Sequence, residues 1–169
     1  NGKTLEPFDP FHTSHNATIP LECEPLEVGG EIVNIRPYIL PHFSKLKENE
    51  HERLGGREGF LRNQGFYVYR NHRLIIHGTW FRLAKYGELS QLIRISVDIP
   101  NSMDDMWKIT VDKSDAQLPT VLRNRLKQII NGLKRRSTKV YRQRAGRIDD
   151  PGTVAVWSRL PAITRSVIR

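Results

Sequence analysis

The stretch QGFYVYRNHRLIIHG, Gln64 to Gly78, decides how this chain is read. Aromatic and β-branched residues crowd both halves, and Asn71-His72 interrupts them. Two such runs separated by two residues predict a β-hairpin, and Asn tolerates the positive φ that a two-residue turn demands. Strands on either side extend the pattern. In LIRISVDI, Leu92 to Ile99, the residues Ile93, Ile95, Val97 and Ile99 share one face. Upstream, Val33, Ile35, Pro37 and Ile39 alternate with Asn34, Arg36 and Tyr38, so a strand starts at Glu31. Pro37 cannot donate to a ladder and predicts an edge strand or a bulge. Pro100-Asn101 closes the second of these runs. Trp107 to Val111 (WKITV) reads as a further short strand, and TVAVWSR near the end as another.

A change of period follows. Pro119 suits a helix start, and Leu122, Leu126, Ile129, Ile130 and Leu133 recur at helical spacing. That helix is expected to run to about Arg144, weakened slightly at Gly132, with the breaker RAGRIDDPG behind it. Residues 41–64 are polar, contain LGGREG (Leu54 to Gly59), and read as a long loop. Residues 1–30 carry little periodicity and read as an irregular lead-in arm. The expected organisation is therefore an arm over 1–30, an α+β domain over 31–148 with a mainly antiparallel or mixed sheet and helices on one face, and a C-terminal strand in 149–169 that starts a further region.

Composition narrows the function classes. The chain has 169 residues, enough for one domain with its own core. No apolar run approaches the roughly 20 residues of a membrane helix, and no secretory leader pattern opens the sequence. A lone cysteine, Cys23, fits a reducing, cytoplasmic setting. The sequon at Asn16 then has no consequence. With no initiator methionine and abrupt ends, we expect a piece of a longer protein.

The net charge of +9 is unevenly distributed. Ten Lys or Arg and no Asp or Glu fall between Ala116 and Ile148, leaving 17 basic and 18 acidic residues elsewhere. Arg123, Lys127, Lys134, Arg135, Arg136, Lys139 and Arg142 are the candidates for contact with a nucleic-acid backbone, DNA or RNA, because clustered cations neutralise phosphates. The alternative is a solvated helix face. Only Tyr141 is placed to stack on a base there, which argues against sequence-specific single-strand binding.

Enzymatic constellations are scarce. There is no Walker loop and no dinucleotide fingerprint. LGGREG lacks the strand-to-helix setting of a phosphate loop. The six histidines have no metal-ligand spacing, and His12 and His15 read as solvated groups of the arm. Ser44 and Ser96 sit in no nucleophile elbow. In ITVDKSDAQLP (Ile109 to Pro119), Lys113 stands at a strand-to-helix corner between Asp112 and Asp115, either as a solvated turn lysine or as a point charge for a phosphate.

Several segments together carry a resemblance: PYILPHFSKL, NQGFYVYRNHRLIIHGTW, RISVDIPNSMDDMWKITVDKSDAQLP, LRNRL and VYRQRAG. They resemble the transducer region of bacterial ATP-binding proteins of the GHKL (gyrase, histidine-kinase and MutL) superfamily, in particular of microrchidia-like proteins. The resemblance runs from about Pro7 to near the C-terminus. It implies the fold of the second domain of small-subunit ribosomal protein five, with a left-handed crossover. It also implies that Lys113 contacts the γ-phosphate of ATP held, with Mg, by an upstream ATPase domain. The Asn-bearing helix and the Asp- and Gly-containing motifs of that domain are absent from residues 1–169. The fragment alone is thus expected to bind ATP weakly or not at all, and the full-length protein to be an ATPase. A homodimer of the full-length protein is a further expectation, and a third alternative is a purely structural dimerisation or interaction domain with 41–64 and the arm as its contact surfaces.

Overall fold

A computed structural model describes residues 8–103 and 118–148, with side chains as far as Arg142. The architecture is α+β: a mixed six-stranded sheet with one long helix across a face. The strands are β1 (Ile19–Pro20), β2 (Glu24–Val28), β3 (Glu31–Ile39), β4 (Gly65–Arg70), β5 (Arg73–Thr79) and β6 (Ile93–Ile99). Their order is β1-β3-β6-β4-β5, with β2 also pairing β3. The β3–β6 and β4–β5 pairs are antiparallel, while β4 and β6 run parallel.

The hairpin forms as expected. Arg70 faces Arg73 across the turn, and Asn71 and His72 take φ of 48° and 63°, the conformation a two-residue turn requires. β6 also matches its reading, with Ile93, Ile95, Val97 and Ile99 all buried. The period-2 pattern was informative because β6 is central and one of its faces meets the helix α3 (Thr120–Ile148).

Four expectations are corrected in detail. The irregular arm contains β1 and β2, and β2 forms a second hairpin with β3 through Gly29-Gly30, both at positive φ. Its sequence EPLEV hides the strand because two of five residues are glutamates. Next, β3 is no edge strand: it pairs with β6 on one side and with β1 and β2 on the other. Pro37 fits because β1 and β2 are interrupted beside it. Its carbonyl accepts from Leu21 N–H at 3.0 Å, so the side lacking an N–H faces that gap. Residues 41–64 are no simple loop; they hold a 3₁₀ turn at Phe43–Lys45, α1 (Glu48–Gly55) and α2 (Gly59–Arg62). The only large apolar side chain of α1 is Leu54, so no stripe betrays the helix. Finally, α3 extends to Ile148, past Arg144. The segments WKITV and TVAVWSR lie outside the described residues.

The helix α3 packs through Leu122, Leu126, Ile130 and Leu133, all buried against β-sheet residues Val33, Ile35, Ile95 and Val97 in one core. Each such side chain is worth about 1.5–3 kcal/mol of burial. The ion pair between Arg125 and Glu24 of β2 is half-exposed, so solvent screening keeps its contribution small beside that of the stripe. The apolar stripe therefore holds the helix down. Buried Gln64 ties the other end of the sheet together. Its amide donates to Leu61 O (2.7 Å), and its carbonyl accepts from Trp80 Nε1 (3.1 Å) and Ser90 Oγ (2.7 Å).

Candidate functional site

Side chains outside the apolar stripe of α3 were the main functional candidates, and the structure sorts them. Lys127, Arg135, Lys139 and Arg142 are exposed. At about 3.6 residues per turn they share the outward side, with Asn124 and Asn131 among them. Arg123 and Lys134 are partly buried on its flank. Arg136 is exposed but turns the other way, into an open groove it shares with Glu22, Pro37 and Ile129. The two signs are separated here: α3 carries no acidic residue from Thr120 to Ile148. Among the described residues, none of these seven makes a salt bridge to a carboxylate.

Tyr141 is corrected as a stacking residue. Its hydroxyl accepts a 2.6 Å hydrogen bond from Gln91 Nε2, and its ring packs edge-on to His42 and Phe43. Burial pushes its hydroxyl pKa up to about 12. Among the described residues, the outward face of α3 thus offers cations and amides but no aromatic platform on which an unstacked base could lie. Lys113 lies outside the described residues, between Met103 and Leu118.

The second face of the sheet was missed by sequence reading. Tyr38, Tyr67 and Arg94 point away from α3, and the chain at 8–18 folds over them, with Phe11 stacked on Tyr38 at 4.5 Å. Arg94 is fully buried. Its guanidinium donates to Pro10 O and to Leu54 O (2.6 Å) and stands 5.4 Å from the Tyr67 ring and 5.7 Å from that of Phe60. Burial lowers its pKa from the usual arginine value, against the opposing pull of Tyr67 and Asp9. This side chain pins the arm and the end of α1 to the sheet centre.

The same fold brings together His12, His15 and Glu50, residues that the sequence leaves far apart. The LGGREG segment forms the α1–α2 junction, without a strand before it, as expected. It borders an open cleft of about 520 Å³ with Asn63, Tyr67 and His77. Asn63 Nδ2 donates to Gly55 O and Gly59 O (2.6 and 3.0 Å), which holds the junction in shape.

Comparison of the chain with protein-family models, curated proteins and solved structures finds no match. Among the described residues, no helix is long and apolar enough to cross a membrane.

Proposed function

We propose that this chain is the transducer domain of a larger GHKL-type ATP-binding protein, with the fold of the second domain of small-subunit ribosomal protein five. In this reading Lys113 meets the γ-phosphate of a Mg–ATP held by an upstream domain of the same protein. The observation that carries the proposal is how the segment bearing Lys113 is anchored. The described chain leaves the central strand β6 after Ile99, passes through a 3₁₀ turn that ends at the buried Met103, and resumes at the buried Leu118, just ahead of α3. Leu118 is five positions after Lys113, so an extended chain allows at most about 18 Å between them. A contact made by Lys113 therefore pulls on the start of the helix that covers the sheet. The ammonium gains a partner only while the third phosphate is present, so ATP binding favours one arrangement and hydrolysis releases it.

The test is the ATPase rate of the full-length protein with Lys113→Ala. A loss of roughly tenfold or more is expected, equivalent to about 1.4 kcal/mol of transition-state stabilisation. An unchanged rate overturns the phosphate contact.

One observation favours a second reading, a nucleic-acid contact made by α3: its acid-free outward face of Lys127, Arg135, Lys139 and Arg142. Reversing Arg135, Lys139 and Arg142 to Glu is expected to weaken binding to duplex DNA by at least about tenfold. It should also flatten the dependence of log K on log salt by about three, from about 0.9 counterions per lost contact. Filter binding over a salt series measures both quantities, and Lys113→Ala should move neither. Wild-type affinity in the reversed variant removes this reading.

A further inference from the structure

His12 and His15 stand in an HTSH segment held by one carboxylate. Asp9 Oδ1 accepts from Phe11 N–H (2.9 Å), and Asp9 Oδ2 accepts from both Thr13 N–H and Thr13 Oγ1 (2.6 Å each). Burial alone would raise the Asp9 pKa, but these bonds together outweigh it and leave the pKa lowered. Thr18 Oγ1 donates to His12 O (2.7 Å), and His15 N–H to the same carbonyl (3.0 Å). The knot leaves the two imidazoles 4.9 Å apart, centre to centre, and partly buried.

Glu50 arrives from the first turn of α1. Its Oε2 accepts from Lys47 N–H at 2.9 Å, which leaves Oε1 facing His12 Nε2 at 3.5 Å. That His12 nitrogen is buried. Beyond this 3.5 Å approach of the carboxylate it makes no hydrogen bond, and a buried ring nitrogen in that state calls for an explanation. One candidate atom from each of His12, His15 and Glu50 lies within 4.8 Å of the others.

We propose that His12, His15 and Glu50 bind a divalent transition metal of the zinc class, which clasps the segment around residues 9–18 to α1. Two imidazoles and one carboxylate suit Zn²⁺, whereas Mg²⁺ and Ca²⁺ take oxygen donors. Three protein ligands leave a fourth position for water. Part of the arrangement is prebuilt: Lys47 N–H already orients Glu50, and the Asp9 bonds to Phe11 and Thr13 fix the backbone on both sides of His12. One rearrangement is required at His15. Its Nδ1 now accepts from Ala17 N–H at 3.1 Å. A metal at Nδ1 takes that lone pair, and a metal at Nε2 moves the proton to Nδ1, so the Ala17 bond is given up either way.

The test uses Co²⁺ as the probe, displaced by Zn²⁺, on the chain with Cys23→Ser so that the exposed thiol does not compete. One equivalent of Co²⁺ should give visible d–d absorption of a low-coordinate site without a thiolate charge-transfer band. Glu50→Gln and His15→Ala should each weaken binding roughly tenfold or more, while His72→Asn at the exposed hairpin tip should not. Amide exchange needs no ligand variant: saturating Zn²⁺ should speed exchange at Ala17 and slow it at His12 and Glu50. The proposal is overturned if Glu50→Gln and His15→Ala bind Co²⁺ as tightly as their parent. It is equally overturned if Zn²⁺ leaves the Ala17 amide unchanged.

Discussion

Gly65→Ala is expected to cost about 4 kcal/mol of folding stability. Gly65 opens β4 at φ +101°, where a side chain is strained by about 1–3 kcal/mol. A Cβ built there stands 2.4 Å from Thr79 O, 2.9 Å from its carbonyl carbon and 3.1 Å from Trp80 Cδ2. Thr79 cannot step aside cheaply, because it pairs with Phe66 in the β4–β5 ladder. Nor can the glycine, since neighbouring Gln64 is held by the Trp80 and Ser90 hydrogen bonds. Overpacking of this kind adds about 1–3 kcal/mol to the backbone strain. Against a total stability of about 5–15 kcal/mol for an ordinary domain, the variant should lose at least about a quarter of it. Gly30→Ala separates the two terms: its φ is +85°, yet nothing lies within 4 Å of its added Cβ. Urea titrations of both variants measure the difference. If Gly65→Ala costs no more than Gly30→Ala, the Thr79 contact is without consequence.

Elements with a strong period were legible in the sequence, and those without one were not. The hairpin at Asn71-His72, the run Ile93 to Ile99 and the α3 stripe each have one face against the core, so alternation or helical spacing survives in the residues. The helix α1, ENEHERLG, buries only its last two residues, so burial imposes no pattern on the rest. β2 lies on the outer side of β3 and tolerates Glu24 and Glu27. Its clearest trace was Gly29-Gly30, a two-residue turn signal ahead of a run already read as a strand.

The candidate sites divide in the same way. The basic face of α3 was visible because it is a local property, ten cations without an acid. The roles of Tyr141 and Arg125 were not, because their partners Gln91 and Glu24 come from distant parts of the chain. The same holds for the arm cluster, where His15 and Glu50 meet only after 8–18 folds back toward α1. His12 and His15 looked solvated because nothing local closes over them. Arg94 shows the limit of parity arguments. It alternates with Ile93 and Ile95 and so belongs to the face away from α3, which an exposed sheet would offer to water. Here Phe11, Pro10 and the end of α1 cover that face.

Arg94 is consequently the residue whose replacement should separate the arm from the sheet. Its guanidinium has two carbonyl acceptors and two aromatic neighbours, no carboxylate in contact, and an Nε without a partner among the described residues. Arg94→Ala leaves Pro10 O and Leu54 O without their donor and opens a void between Phe60 and Tyr67. A loss of about 3–5 kcal/mol is expected, the range for truncated large core side chains. Arg94→Met tests which part matters. The methionine keeps apolar contact with both rings and removes a buried charge whose desolvation is itself costly. It still leaves two carbonyls unsatisfied, at about 1–3 kcal/mol for each group that water cannot reach. If residues 8–18 then lift and hydrate both carbonyls, global stability should fall by only about 1–2 kcal/mol. Amide exchange over those residues should rise while β3, β4 and β6 keep their protection. Lysine should do worse than methionine, because a compact, strongly hydrated ammonium cannot span two carbonyls as the planar fork does. Should Arg94→Ala remain within about 1 kcal/mol of wild type with the arm still protected, Phe11 and its tyrosine neighbours hold the arm without the guanidinium.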